Sequence, residues 1–226
     1  MKRISAAVVV LVAGLLGRAI YAAEPLASKE VLAEGKQLFA EKKCSTCHTA
    51  GGLGEAGKID LDKYRMYADA LLFGSVMWNH APIMAAKPQL IDDWPRFAPG
   101  ELPKLVAYIH DASGSSQHQY LMSDDASAGE QIFAKKCRQC HSVQSHGGPL
   151  APDLSARLAK TTSRADIGAA MWNHIPQMVR VSKEAGIHLP TLDPKEMADL
   201  FSYLLSTLTA DEQRALAAPT PVPGGK

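Results

Sequence analysis

All four cysteines of this chain sit in two copies of one pentad. Cys44-Ser45-Thr46-Cys47-His48 recurs as Cys137-Arg138-Gln139-Cys140-His141. Some thirty residues after each pentad comes a second shared block. Met77-Trp78-Asn79-His80-Ala81-Pro82-Ile83-Met84 recurs as Met171-Trp172-Asn173-His174-Ile175-Pro176-Gln177-Met178. The chain is therefore two versions of one unit of about 90 residues, a length that can bury one modest core.

The spacing inside the pentad carries chemistry. Two thiols three residues apart lie near each other on one helical turn. They reach two neighbouring vinyl groups of one porphyrin, and the histidine that follows can face its iron. This is the pattern of covalent c-type haem attachment. Disulfides are the default use of cysteine in an oxidising compartment, and four cysteines can also hold zinc. Neither use accounts for a histidine after both pairs. Cys44, Cys47, Cys137 and Cys140 are thus expected as anchors of two haem c groups, with His48 and His141 as proximal iron ligands.

The N-terminus reads as a secretory signal over residues 1–23: Lys2 and Arg3, an apolar run from Ile4 to Leu16, then Ala22 and Ala23. The apolar run is short for a membrane span, and Arg18 interrupts it. Export to the periplasm is expected, with membrane association only if this segment stays uncleaved. Its removal takes Lys2, Arg3 and Arg18 and turns the formal charge from +1 to −2. No basic patch argues for nucleic acid.

Apolar spacing predicts a helix over 28–43, with Gly35 and Phe39 one turn apart, and Gly129 and Phe133 repeat that pair before the second pentad. Helices over 69–79 and 163–173 are expected to end soon after, because Pro82 and Pro176 cannot continue them cheaply. Long loops then follow over 83–98 and 177–192. Each half closes with a helix, 101–110 and 194–207. The second has Asp193 as N-cap, Pro194 at the first position and Glu196 at the third. The expected division is domain 1 over 24–112, a polar linker over 113–127, domain 2 over 128–208 and a disordered tail over 209–226.

With these features together, the chain resembles a tandem fusion of two class I cytochrome c domains: an all-α fold, each domain wrapped around one covalent haem. In that family an N-terminal helix with glycine and phenylalanine crosses the last helix at an aromatic. Gly35 and Phe39 against Tyr108, and Gly129 and Phe133 against Tyr203, match this. The family also has a proline whose carbonyl accepts from the proximal histidine. Pro152 stands there in the second half, whereas Ile59 stands there in the first. Where the family offers methionine before proline as distal ligand, this chain has Trp94-Pro95 and Leu189-Pro190. The distal ligands are therefore sought upstream, in Met84 and Met178. Met77, Met171, His80 and His174 are the alternatives. Trp78 and Trp172 are expected to pack on the porphyrin.

A haem with both axial sites filled by protein transfers electrons. The resemblance implies an electron carrier between redox-partner proteins, not an enzyme. The rival readings are a haem enzyme of the dihaem peroxidase kind, with His146 or His188 as distal groups, and a haem subunit of a larger oxidoreductase. His146 and His188 read more simply as exposed loop histidines.

Overall fold

The structure is a computed structural model that describes residues 27–55, 57–63, 70–114, 125–159 and 164–217. The signal segment, most of the linker, Asp69 and Pro219–Lys226 lie outside the described residues.

Each half is built on two crossing helices. In the first, α1 (Lys29–Glu41) starts at Ser28, whose side chain accepts from the Val31 N–H. It buries Gly35, Leu38 and Phe39 against α4 (Glu101–Ala112). Glycine is required at this crossing. A Cβ on Gly35 would stand 2.2 Å from the Lys104 carbonyl oxygen and 2.7 Å from Tyr108 Cβ. The Phe39 and Tyr108 rings then meet edge to face, centroids 5.8 Å apart.

The second half repeats this construction. There α5 (Ala126–Lys136) crosses α8 (Pro194–Ser206). A Cβ on Gly129 would lie 2.0 Å from the Asp199 carbonyl oxygen. The Phe133 and Tyr203 rings lie 5.7 Å apart. α8 begins with the expected capping box of Asp193 and Glu196 and with Pro194 in its first turn.

Between the crossing helices the chain wraps the pentad. His48–Thr49 (β1) pairs in parallel with Ile59–Asp60 (β2). Ser142–Val143 (β3) pairs antiparallel with His146–Gly147 (β4). In both halves a glycine at positive φ closes the turn onto the histidine of the pentad. A Cβ on Gly54 would meet the His48 carbonyl oxygen at 2.4 Å, and one on Gly147 the His141 carbonyl oxygen at 2.3 Å. The short helix α3 (Pro88–Asp92) precedes α4, and α6 (Leu154–Leu158) follows β4.

The two central helices correct the sequence reading. α2 (Ala70–Ala85) runs through Pro82, and α7 (Arg164–Glu184) runs through Pro176. Much of the expected loops is therefore helical. The cost of proline is the lost bond to the carbonyl four residues back. At Pro176 that carbonyl belongs to Trp172, and the Trp94 indole of the other half donates to it at 3.0 Å. Tertiary contact supplies the bond that the helix gives up.

Two boundaries also shift. α5 starts at Ala126 because the Asp125 side chain caps it, so the linker ends earlier than expected. Residues 210–217 form α9 (Ala210–Ala217), where a disordered tail was expected. Thr209 and Glu212 form a capping box there: Glu212 accepts from the Thr209 N–H, and the Thr209 hydroxyl accepts from the Glu212 N–H. Gln213 ties the helix to the Leu205 and Leu208 carbonyls.

The halves share one continuous apolar core, with α2 packed on α7. The seam between them is reciprocal. The Trp78 indole donates to the Pro190 carbonyl at 2.7 Å, and the Trp172 indole donates to the Pro95 carbonyl at 2.6 Å. Asn79 exchanges two bonds with the Leu192 backbone, at 2.7 and 2.9 Å. Asn173 exchanges two with the Phe97 backbone, at 2.7 and 2.8 Å.

Candidate haem sites

The second pentad opens on a cavity of about 270 Å³ with a mainly apolar lining. Cys137, Cys140 and His141 lie on one side, and His174 and Met178 of α7 on the other. Pro152, Leu158 and Leu204 contribute to the wall, as does Trp78 from the first half. Cys137 and Cys140 are half-buried, and burial pushes the Cys137 thiol up to about 11. In the first half Cys44 is half-buried and Cys47 exposed, and burial likewise raises Cys44 to about 11. Burial thus favours the neutral thiol at both sulfurs. No two of the four cysteines are joined in a disulfide. Among the described residues no three His, Cys, Asp or Glu side chains cluster as a metal site. Neither a disulfide nor a zinc site accounts for the histidine after each pair, whereas haem c attachment uses both cysteines and that histidine.

The histidines of the two pentads differ in their partners. His141 Nδ1 lies 3.0 Å from the Pro152 carbonyl oxygen. That bond directs Nε2 into the cavity. His48 Nδ1 is buried and makes no hydrogen bond of normal geometry. The nearby Ile59 backbone favours its charged form only weakly, and burial with the neighbouring His80 holds the His48 pKa below its ordinary value.

Opposite each proximal histidine stands a helix. The His48 and His80 ring centroids are 5.9 Å apart, and those of His141 and His174 6.5 Å. Burial holds both His80 and His174 below their ordinary pKa, and His141, Arg157 and Arg96 add to the effect at His174. His48, His80 and His174 are thereby kept toward the neutral, metal-binding form. Because α2 and α7 continue through their prolines, Met84 and Met178 lie one turn beyond His80 and His174 on the same face. Both methionines are half-buried against the core. Met77 and Met171 instead border a small apolar void of about 20 Å³ at the seam, although Met171 also touches the second cavity.

The tryptophans depart from expectation. Trp172 tilts against Trp94, centroids 4.6 Å apart, and Trp78 lines the second half's cavity. Both belong to the seam. Sequence reasoning missed this role for Trp78, Asn79, Trp172 and Asn173. The available signal was that the Trp-Asn pair repeats unchanged although neither residue ligates iron. His146 is exposed, its ring on the Gln144 carbonyl. His188 is exposed at the mouth of the second cavity.

The sequence profile of the cytochrome c family matches the chain twice, over residues 32–113 and 126–208. The chain belongs to the cytochrome c family. Each half is one cytochrome c domain, and the tandem arrangement is that of a haem c electron-transfer protein. The chain is also similar to the cbb3-type cytochrome c oxidase subunit FixP of Bradyrhizobium sp. (strain ORS 278). The two are 27% identical over 136 residues, which is 56% of this chain and 45% of FixP. The match thus spans under half the length of that relative. No solved structure matches this cytochrome at comparable stringency.

Proposed function

We propose that the mature protein is an exported, periplasmic dihaem c-type cytochrome that carries electrons between redox-partner proteins. The observation that carries this reading is the repeated arrangement of a half-buried thiol, a pentad histidine and a facing helix that bears His and Met. Haem c, when bound, supplies a one-electron iron couple. The chain's own residues anchor it through Cys44, Cys47, Cys137 and Cys140, orient it through His48 and His141, and exclude water with an apolar wall. The likeness to FixP supports a working place beside, or within, a larger oxidoreductase.

We assign the distal positions to Met84 and Met178, which follow the prolines of α2 and α7; Met178 lines the second cavity, and Met84 holds the equivalent place in the first half. Thioether is soft and neutral, so it favours ferrous iron and a raised potential. A second reading, bis-histidine ligation through His80 and His174, rests on the ring spacings. A histidine nitrogen binds a first-row metal at about 2.0–2.1 Å, so two imidazoles on one ion stand about 6 Å apart between centroids. One experiment separates the readings. Met84→Ala and Met178→Ala should each let the reduced protein bind one equivalent of carbon monoxide, and the double variant two. His80→Ala and His174→Ala should bind none. The opposite pattern assigns the histidines. Carbon monoxide binding by the wild type would favour the enzyme reading.

A further inference from the structure

The Trp-Asn pairs do more than join two domains. In each half they occupy the loop that precedes the last helix of the other half. Trp78 and Asn79 hold Pro190 and Leu192, and Trp172 and Asn173 hold Pro95 and Phe97. These positions are equivalent in the two repeats, so the seam has an approximate two-fold axis. Gly74, Met77 and Trp78 face Gly168, Met171 and Trp172 around the small void on that axis. The first half adds two further bonds. Trp94 donates to the Trp172 carbonyl and Arg96 to the Asn173 carbonyl, both at 3.0 Å. Six of these bonds engage backbone atoms of one half through an indole or amide side chain of the other, in matched pairs. Such contacts fix register as well as proximity, because an indole N–H or an amide pair satisfies only one alignment of the facing backbone.

The seam lies directly against a haem site. Trp78, a residue of the first half, is part of the second half's cavity wall. Each Trp-Asn pair also sits immediately before His80 or His174, so these histidines begin the turn that leads from the clamp to Met84 and Met178.

We infer that Trp78, Asn79, Trp172 and Asn173 are positioning residues that lock the two haem sites into one rigid body and so set the rate of electron exchange between them. The inference rests on the dihaem reading above. In the exchange, one iron loses one electron and the other gains it. No bond forms, no proton moves and no further reactant is needed. With the clamp open, the domains would keep the apolar packing of α2 on α7 and the linker, but not the fixed register. Exchange would then depend on how often the loosened seam returns to the clamped alignment.

The test uses the full two-haem chain. Asn79→Ala/Asn173→Ala removes the four amide bonds, and Trp78→Phe/Trp172→Phe removes only the indole donors while keeping aromatic volume. After rapid injection of less than one electron per molecule, redistribution between the haems is followed optically. Small-angle scattering reports the envelope. The expected result is redistribution roughly tenfold or more slower in the asparagine pair, with two haems retained, unchanged ligand-state spectra and a longer envelope. The milder tryptophan pair should move in the same direction. Wild-type exchange rates in both pairs would overturn the inference and leave the dihaem reading intact. Wild-type protein without haem would overturn both. If the asparagine pair fails to fold, the tryptophan pair decides alone.

Discussion

His48 and His141 hold equivalent places but different partners. His141 donates to a carbonyl through Nδ1, and His48 does not. A ring N–H held by an acceptor makes the other nitrogen a stronger donor to metal. Stronger donation favours ferric iron, so the second haem is expected to have the lower potential of the two. Redox titration of a chain with Cys137→Ala and Cys140→Ala, which keeps the first haem alone, assigns the values. The reverse order would mean that the Pro152 bond does not govern the potential. The glycines of the helix crossings give a second expectation at this scale. Gly35→Leu and Gly129→Leu place atoms where backbone carbonyls lie 2.2 and 2.0 Å from a bare Cβ. Overpacking costs about 1–3 kcal/mol, so each variant should melt earlier with its haem still attached. Unchanged melting would remove the close crossing.

At the scale of elements, α2 and α7 show where sequence reasoning stopped. Apolar spacing located the helices, and the pentads marked the two cytochrome c domains, because both signals are local. The ends of α2 and α7 were not legible. Proline sets a cost, but whether a helix stops there depends on who takes the freed carbonyl. For Trp172 the taker is Trp94, 78 residues away in the chain. The seam was hidden for the same reason, since its partners are loop carbonyls with no side-chain signature. The Pro152 bond, by contrast, was visible because family resemblance marks a single position. This account predicts coupling between Trp94 and Pro176. Trp94→Phe leaves the Trp172 carbonyl without its indole donor in a buried place, a loss of about 1–3 kcal/mol. Pro176→Ala supplies an N–H in the helix, so the same tryptophan change should cost much less in that background. A double-mutant cycle by chemical denaturation reads the difference. Additive effects would show that Trp94 does not replace the missing helical bond.

Taken as a whole, the molecule is two repeats with one core, so events at one haem should reach the other half. Mature protein, denatured and reduced, should keep two haems by mass, and Cys137→Ala/Cys140→Ala should keep one. Haem released intact by acid acetone would mean that the thioether bonds are absent. The consequence for stability follows from the seam. Without its covalent haem, the second half loses the largest apolar body in its core and holds Pro190 and Leu192 less firmly. These are the atoms that Trp78 and Asn79 bind. The first half should therefore melt at a lower temperature in this variant, although its own haem and every residue near it are unchanged. Absorbance of the remaining haem during heating measures that shift directly. Independent domains would show no shift at all, and a melting curve for the first haem that matches wild type would reduce the seam to a contact without energetic weight.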